Sequence, residues 1–262
     1  MKYGPSDRTR ENSPMRIYTV INTDRGYSMS CLDGCFSGQK AMVLCLHGFA
    51  GDKYSSVIER LGAEMREENT GTFTFDWPAH GDSKASFSDL TIDNCLEDIR
   101  TAVDWMRDHY GQIPLYLFAT SFGGYLGMLF HQKYPDTFDR IFLRSPALNM
   151  ADVMTGFMTD DQLDAFLSGQ KLNFGFDRAL ILTRAFYDDV KAHDVFRMAS
   201  EYPEKIAIIH GEADDVVPCS DSRDYADRYG LTLYTLPGAD HRYKNPGDVD
   251  AVMEKAKGWF AF

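Results

Sequence analysis

Short apolar runs alternate with longer amphipathic segments along most of the chain. Apolar or alternating runs predict strands over residues 15–21, 27–36, 41–46, 71–76, 113–119, 140–144, 205–210 and 231–236. Apolar positions at helical spacing predict helices over residues 52–67, 91–110, 122–131 and 248–262. Some of these strands are apolar throughout, which is typical of parallel strands buried on both faces. The pattern therefore predicts an α/β fold with a mostly parallel central sheet and helices on both faces.

One long stretch interrupts this alternation. Residues 148–200 are too long for a simple connection, and they carry Met, Phe and Tyr side chains among acidic residues. We interpret them as a small helical or mixed cap inserted into the core. The core then comprises residues 15–147 and 201–262, and the polar residues 1–14 are predicted to form a flexible tail.

Composition narrows the class of protein. The 262 residues are 44% apolar and 25% charged, as in ordinary soluble domains, and the net charge of −12 argues against a general nucleic-acid binder. No apolar run is long enough for a transmembrane helix, and the N-terminus lacks the apolar core of a secretory signal, so we expect a cytoplasmic protein without membrane insertion. The odd number of cysteines, five, favours free thiols. A monomer and a homodimer are both compatible with the sequence.

Ser121 is the first candidate for chemistry, because it lies between a predicted strand and a predicted helix. A serine on such a turn presents its hydroxyl beside the amides of the helix N-terminus, as in the nucleophile elbow of serine hydrolases. The tight turn needs small residues two positions before and after the nucleophile, and Ala119 and Gly123 are both small. The alternative is a serine that only caps the helix.

A base and an acid follow the last two predicted strands. His241 comes after the final strand, and histidine is the side chain whose pKa suits proton transfer near neutrality. The alternative for His241 is an ordinary histidine in an exposed loop. The acid is Asp214 or Asp215, with Glu212 as a third choice. Asp214 is favoured because it lies three residues after Gly211 and just before a Val-Val-Pro segment. A carboxylate there would accept the far imidazole N–H and fix its tautomer.

Backbone amides are expected to form the oxyanion hole. The Phe122 amide follows the serine at a helix N-terminus, and the Phe49 amide belongs to the glycine-containing loop after the first central strand. We expect His47 to order that loop by hydrogen bonding rather than to act as a second base or a metal ligand. His210 is interpreted as a structural residue, and His80 as a brace for the loop, with a direct catalytic role as the alternative. No histidine–carboxylate spacing suggests a metal site, and no cofactor is expected.

Five segments together resemble the α/β-hydrolase superfamily, namely residues 47–49, 76–83, 119–123, 211–218 and 237–241. The order serine, aspartate, histidine is also that of this superfamily. The Asp-Trp-Pro-Ala-His-Gly-Asp-Ser segment resembles the D-x-x-G-H-G-x-S turn of the serine aminopeptidase and monoacylglycerol-lipase-like branch. Small bacterial carboxylesterases, including cinnamoyl (feruloyl) esterases, share that turn. Ala119 and Ala79 stand where the pattern usually has glycine.

The resemblance implies an α/β-hydrolase fold with nucleophile Ser121, acid Asp214, base His241 and a cap over the pocket. The expected function is a serine carboxylesterase that cleaves small-molecule esters through an acyl-enzyme. Hydroxycinnamoyl (feruloyl) or short-to-medium acyl esters are the expected substrates. A peptidase or acyl-thioesterase with the same triad is the nearest alternative. A non-catalytic small-molecule binding protein on the same scaffold is an alternative of a different class.

Three cap side chains are candidate substrate contacts. Met154, Phe157 and Phe174 lie in the segment rich in methionine and aromatic residues. Methionine adapts to irregular shapes, so such a lining is compatible with varied acyl groups. For each of the three, ordinary core packing is the alternative.

Overall fold

An eight-stranded sheet forms the centre of the computed structural model, which describes residues 16–173, 180–197 and 201–260. The strands are β1 (Ile17–Asn22), β2 (Ser28–Asp33), β3 (Ala41–Leu46), β4 (Thr70–Phe75), β5 (Leu115–Thr120), β6 (Arg140–Arg144), β7 (Leu172–Asn173), β8 (Ile181–Leu182), β9 (Ile206–Gly211) and β10 (Thr232–Leu236). The helices are α1 (Ser56–Glu67), α2 (Ile92–Tyr110), α3 (Phe122–Lys133), α4 (Met150–Thr155), α5 (Asp160–Leu167), α6 (Arg184–Ala192), α7 (Cys219–Tyr229) and α8 (Asp248–Phe260).

The main sheet is mostly parallel, as predicted. Its strand order is β1-β2-β4-β3-β5-β6-β9-β10, and β7 pairs with β8 in a separate two-stranded sheet. β1 pairs antiparallel with β2, and β2 pairs antiparallel with β4. All other neighbours in the main sheet are parallel. The carboxyl ends of β3, β5, β6, β9 and β10 therefore meet at one edge, where ligands bind in sheets of this kind.

Helices cover both faces of the sheet, and each face has its own apolar core. One core joins the sheet to α2, α3 and α7 and to the predicted cap. The other joins it to α1 and α8. Strands β3, β4 and β9 are buried at every position, because helices shield both of their faces. The apolar runs in the sequence correspond to this double burial.

The first helix begins later than the sequence predicted. Its start was predicted at Asp52, but α1 begins at Ser56, and the Asp52 carboxylate instead accepts the Tyr54 N–H at 2.8 Å. In the intervening turn, the Lys53 N–H donates to Asp76 Oδ1 at 2.8 Å rather than to a neighbour within a helix. A contact between distant segments thus determines where this helix starts.

Helix α7 was not predicted. It buries mainly Ser222, Tyr225 and Ala226, so its sequence carries little apolar periodicity. Its apolar face is limited to one narrow stripe that packs beside β9 and β10. Such a short stripe is a weak signal compared with that of α2, which buries eight positions.

The predicted cap segment holds α4, α5, α6 and the two-stranded sheet. Within it, α6 is tied to the core, because the Tyr125 hydroxyl donates to the carbonyl oxygens of His193 at 2.8 Å and Val190 at 3.2 Å. The Asp189 carboxylate also accepts the Ile92 N–H at 2.7 Å, at the N-terminus of α2. Phe174, a candidate substrate contact, lies outside the described residues. The domain boundaries stay a prediction.

Three further features concern the predicted class of protein. All five cysteines are free thiols. No helix within the described ranges is long and apolar enough to cross a membrane. In the same part of the chain, no group of three or more His, Cys, Asp and Glu side chains is arranged to hold a metal ion.

A buried carboxylate joins the β1–β2 hairpin to α2. Asp98 Oδ1 accepts hydrogen bonds from the Arg25 guanidinium and from the Tyr27 hydroxyl, the latter at 3.1 Å. The Asp98 side chain is fully buried, and its Oδ2 has no hydrogen-bond partner among the described residues. Burial raises the pKa of Asp98 to about 7, although the Arg25 charge and the two hydrogen bonds act in the opposite direction.

Asp98 is therefore expected to make folding stability depend on pH. Its pKa is 3.8 in the unfolded chain and higher in the folded protein, so the folded protein holds the extra proton between these values. Stability should fall as pH rises from about 4 to about 7, by at most about 1.4 kcal/mol per pH unit, and level off above that. Urea denaturation of wild type and Asp98→Asn across this range measures the difference. The exposed Asp104→Asn on the same helix is the control. We expect the unfolding free energy of wild type to fall relative to that of Asp98→Asn as pH rises. If it rises relative to that of Asp98→Asn instead, Arg25 keeps Asp98 ionised and the prediction is wrong.

Candidate active site

Ser121 occupies a strained turn between β5 and α3. Its backbone has φ of 50° and ψ of −117°, a left-handed region that residues other than glycine rarely adopt. The Ser121 N–H donates to the Arg144 carbonyl at 3.1 Å, and its own carbonyl accepts the Ala147 N–H at 3.1 Å. The end of β6 therefore fixes the turn from both sides of the serine. Strain that surrounding hydrogen bonds maintain is typical of a functional residue.

Close packing explains the small residues around the serine. A Cβ atom added at Gly123 would lie 2.7 Å from the carbonyl oxygens of both Leu46 and His47, so only glycine fits there. The other flanking residue, Ala119, is fully buried at the end of β5. Its methyl group is accommodated although the resembling pattern has glycine at this position.

Three side chains from different loops lie in one hydrogen-bonded series. The Ser121 hydroxyl is 3.2 Å from His241 Nε2, and His241 Nδ1 is 2.7 Å from Asp214 Oδ2. Asp214 lies in the loop after β9, and His241 in the loop after β10. Asp215, the alternative acid, is exposed. The other alternative, Glu212, forms an ion pair with Arg223 at 2.7 Å.

Asp214 is held in its ionised form. Its side chain is fully buried, and burial alone would raise its pKa. Burial is the largest single effect, but the hydrogen bonds from His210, His241 and the Val217 N–H, together with the charge of His241, outweigh it and hold the pKa of Asp214 well below its usual range. Its Oδ1 also accepts the N–H groups of Val216 at 2.9 Å and Val217 at 2.8 Å. A carboxylate so fixed can orient an imidazole and stabilise its positive charge.

His210 has a contact with Asp214 that the sequence did not indicate. It was predicted only as a structural residue, but its Nε2 lies 3.2 Å from Asp214 Oδ2 and 3.0 Å from the Val217 carbonyl. Its Nδ1 lies 2.7 Å from the Ser222 hydroxyl. The Val217 carbonyl can only accept, so Nε2 of His210 carries a proton. The same N–H faces Asp214 Oδ2, so His210 is a second imidazole donor beside this carboxylate.

Hydrogen bonds fix the peptide group between Gly48 and Phe49. The Gly48 carbonyl accepts the Gly51 N–H at 3.1 Å and His47 Nδ1–H at 2.8 Å. Burial lowers the pKa of His47 to about 4, so the ring is neutral, and its Nε2 accepts the Trp77 N–H at 3.4 Å. In a trans peptide the Phe49 N–H points opposite to the anchored carbonyl.

Ser121 lies beside this loop. A Cβ atom added at Gly48 would be 3.2 Å from Ser121 Cβ, so the loop backbone passes close to the serine. The Phe122 amide belongs to the first turn of α3, where N–H groups lack partners within the helix and carry partial positive charge. Both amides predicted for the oxyanion hole thus come from segments next to Ser121.

A buried lysine joins the loop after β3 to the loop after β4. Lys53 Nζ is 2.6 Å from Asp76 Oδ2 and 2.6 Å from Asp82 Oδ2, and the Lys53 side chain is fully buried. Asp76 Oδ2 also accepts the Asp82 N–H at 2.8 Å. Ala79, in the same turn, has a positive φ of 63°, which explains why glycine is usual at this position. The sequence pattern indicates this turn, but it carries no local signal for Lys53.

Aromatic side chains cover the two predicted oxyanion residues. The Phe49 ring is 5.4 Å from Phe122 and 6.0 Å from Phe186 of α6, measured between ring centroids. Of the predicted substrate contacts, Met154 is buried in the core and Phe157 is 54% exposed. Phe186 was not among the predicted substrate contacts, but within the described part of the predicted cap it packs against Phe49.

The strand order and the serine turn define the class of protein as an α/β-hydrolase. The sequence profile of the serine aminopeptidase S33 family matches residues 37–170. This match covers just over half of the 262-residue chain. The chain therefore belongs to that family. The predicted resemblance to this branch of hydrolases is confirmed.

Similar proteins include lipases and esterases. The chain is 22% identical over 257 residues to a monoacylglycerol lipase of Mycolicibacterium smegmatis, covering 84% of this chain and 88% of that protein. The structure of Est1E from Butyrivibrio proteoclasticus with ferulic acid bound has a TM-score of 0.78 at 21% identity, covering 93% of this chain and 100% of the other. A soluble variant of monoglyceride lipase from Saccharomyces cerevisiae, in complex with a substrate analogue, has a TM-score of 0.73 at 16% identity, covering 98% of both chains. At these identities the structural likeness shows the fold.

Proposed function

We propose that this protein is a serine carboxylesterase in which Ser121, His241 and Asp214 form the catalytic triad. The hydrogen-bonded series from the Ser121 hydroxyl through His241 to Asp214 carries this proposal, with distances of 3.2 and 2.7 Å. A serine hydroxyl becomes a useful nucleophile only when a base removes its proton as it attacks. His241 has its Nε2 on the hydroxyl and its Nδ1–H on a buried carboxylate, which is the arrangement that this step requires.

The reaction then proceeds through an acyl-enzyme. Ser121 Oγ bonds to the ester carbonyl carbon, while His241 takes the hydroxyl proton. The tetrahedral intermediate collapses as the bond to the alcohol oxygen breaks and His241 protonates the leaving alcohol. Water, deprotonated by His241, attacks the acyl-enzyme and releases the carboxylic acid and free Ser121. The ionised Asp214 stabilises the imidazolium in both halves of the reaction.

The amides of Phe49 and Phe122 stabilise the oxyanion in this proposal. Two hydrogen bonds hold the Gly48 carbonyl, so the orientation of the adjacent Phe49 N–H is fixed before the reaction begins. Preorganised donors of this kind are each worth on the order of 100- to 1,000-fold in turnover. His47 acts as a positioning residue, because its Nδ1–H holds that carbonyl.

The proposed substrates are small-molecule esters with feruloyl or short-to-medium acyl groups, hydrolysed in the cytoplasm. Est1E, to which the fold is similar, was solved with ferulic acid bound, and a related protein is a monoacylglycerol lipase. The aromatic rings of Phe49 and Phe186 beside the serine loop suit an aromatic or apolar acyl group. Contacts of the acyl group with Met154, Phe157 and Phe174 belong to the same proposal.

A peptidase is the second candidate, because the matched family is described as serine aminopeptidases. The same triad cleaves amides when the leaving amine is protonated. Acyl-thioesters are a third class of substrate that this chemistry accepts.

A panel of substrates tests the proposal. It comprises p-nitrophenyl acetate, butyrate and palmitate, methyl ferulate, an acyl-coenzyme A thioester and an aminoacyl p-nitroanilide, each with wild type and Ser121→Ala. We expect kcat/KM for butyrate and methyl ferulate to exceed that for palmitate and the anilide by about tenfold or more, since pocket fit changes binding by kcal/mol amounts. Fastest turnover of the anilide would instead identify an aminopeptidase. Hydrolysis that persists in Ser121→Ala would refute the proposed nucleophile.

A further inference from the structure

A buried arginine lies behind the base. Arg144, the last residue of β6, is only 8% exposed, and no carboxylate of the described residues forms an ion pair with it. Its Nε is buried with no hydrogen-bond partner in the same part of the chain. The charges of Asp214 and Asp240 act on it only from a distance, and burial lowers its pKa. A buried cation without a close counter-ion costs folding free energy, so its presence requires another explanation.

The Arg144 guanidinium contacts the loop that carries His241. Its Nη2 donates to the His241 backbone carbonyl at 3.1 Å, and its central carbon lies 4.2 Å above the Tyr243 ring. Tyr243 is itself fixed, because its hydroxyl lies 3.3 Å from the Ile209 carbonyl and 3.1 Å from Ser145 Oγ. The guanidinium therefore contacts both the His241 backbone and the Tyr243 ring, two residues further along the chain.

The same residue also contacts the nucleophile through its backbone. The Arg144 carbonyl accepts the Ser121 N–H at 3.1 Å, and Arg144 pairs with Thr120 in the parallel ladder of β5 and β6. One residue thus bonds to Ser121 by its main chain and to His241 by its side chain. No other described residue forms both hydrogen bonds.

We propose that Arg144 is a positioning residue that holds His241 Nε2 within hydrogen-bonding reach of Ser121, by fixing the His241 carbonyl to the end of β6. This inference rests on the proposed function, because it takes His241 as the base. The planar guanidinium donates to a carbonyl while its face stacks on an aromatic ring, and neither a neutral side chain nor an ammonium does both equally well. Displacing a reacting group by about 1 Å can cost on the order of 100-fold in rate.

Stability and activity should therefore respond to Arg144 in different ways. Replacing a buried charge by an apolar residue of similar volume is often neutral or stabilising, so Arg144→Met should keep or raise Tm. The same change should lower kcat for p-nitrophenyl butyrate roughly 10- to 100-fold, with KM changed by no more than about threefold. Arg144→Lys keeps a donor for the carbonyl and should recover part of kcat.

Arg140→Met is the matched control. Arg140 lies on the same strand and, four residues away, on the same face of the sheet. It also has an aromatic partner, with its guanidinium carbon 5.2 Å from the Trp259 ring, but it is only half-buried and lies at the other end of β6. Its replacement should leave kcat unchanged. Equal kcat in Arg144→Met and Arg140→Met would overturn the proposal. So would a loss of kcat in Arg144→Met that comes with a loss of Tm and that Arg144→Lys does not recover.

A nuclear magnetic resonance readout separates this proposal from the proposed function. The Nδ1 proton of His241, bonded to Asp214 at 2.7 Å, should give a downfield signal that His241→Gln removes. We expect this signal to shift or broaden in Arg144→Met and to be unchanged in Arg140→Met, whether or not the protein hydrolyses an ester. An unchanged signal in both variants would overturn the positioning role. Failure of wild type to cleave any ester would contradict only the proposed function.

Discussion

Replacement of Ser121 by alanine is expected to lower kcat for ester hydrolysis on the order of a million-fold. The reason is that Ser121 Oγ is the only protein atom that bonds covalently to the acyl carbon in the proposed mechanism. His241→Ala should cost about as much, and the double variant no more than either alone, because members of a triad act as a unit. Initial rates with p-nitrophenyl butyrate, extended to long incubations, measure all three.

Ser222 provides the comparison for Ser121. Its hydroxyl is also bonded to a histidine, with 2.7 Å to His210 Nδ1, but it is buried within α7 rather than held on a strained turn. Ser222→Ala should therefore keep kcat within about tenfold of wild type, since the change removes only an indirect contact to Asp214. Equal losses in Ser121→Ala and Ser222→Ala would show that the serine–histidine contact alone does not identify the nucleophile.

Replacement of Asp214 by asparagine is expected to lower kcat on the order of 10,000-fold. The amide group would offer an N–H to His241 and favour the wrong imidazole tautomer, although the volume of the side chain is unchanged. The loss should appear in kcat more than in KM, because the imidazolium forms only during the reaction. The pH series of kcat with wild type and Asp214→Asn measures the effect.

Asp215→Asn is the matched control for Asp214→Asn. The two residues are adjacent, but Asp215 is exposed whereas the Asp214 side chain is buried against two histidines. Asp215→Asn should keep kcat within about twofold of wild type. A larger loss for Asp215→Asn than for Asp214→Asn would reverse the assignment of the acid.

The sequence predicted the sheet well because burial on both faces requires uninterrupted apolar runs. Strand β3 is an example, since all six of its residues are apolar and buried, and the predicted mostly parallel sheet is confirmed. The errors arose where local pattern was not decisive. The start of α1 is displaced by the contact between Lys53 and Asp76, and α7 buries too few apolar residues to be recognised.

The candidate triad was selected from residue type and position after a strand. Ser121, Asp214 and His241 each follow a strand of the parallel sheet, and parallel strands bring their carboxyl ends to one edge. Their chemical roles stay proposals. His210 and Arg144 were not selected, because their contacts join segments far apart in sequence and leave no local pattern.

A covalent fluorophosphonate probe gives the most direct test that Ser121 is a nucleophile activated by His241. Intact mass and peptide mapping after labelling should show one probe per chain, on the peptide that contains Ser121. His241→Ala should slow the labelling strongly, while Ser222→Ala should not. Absence of a label on wild-type protein, or a label on another serine, would contradict the proposed mechanism.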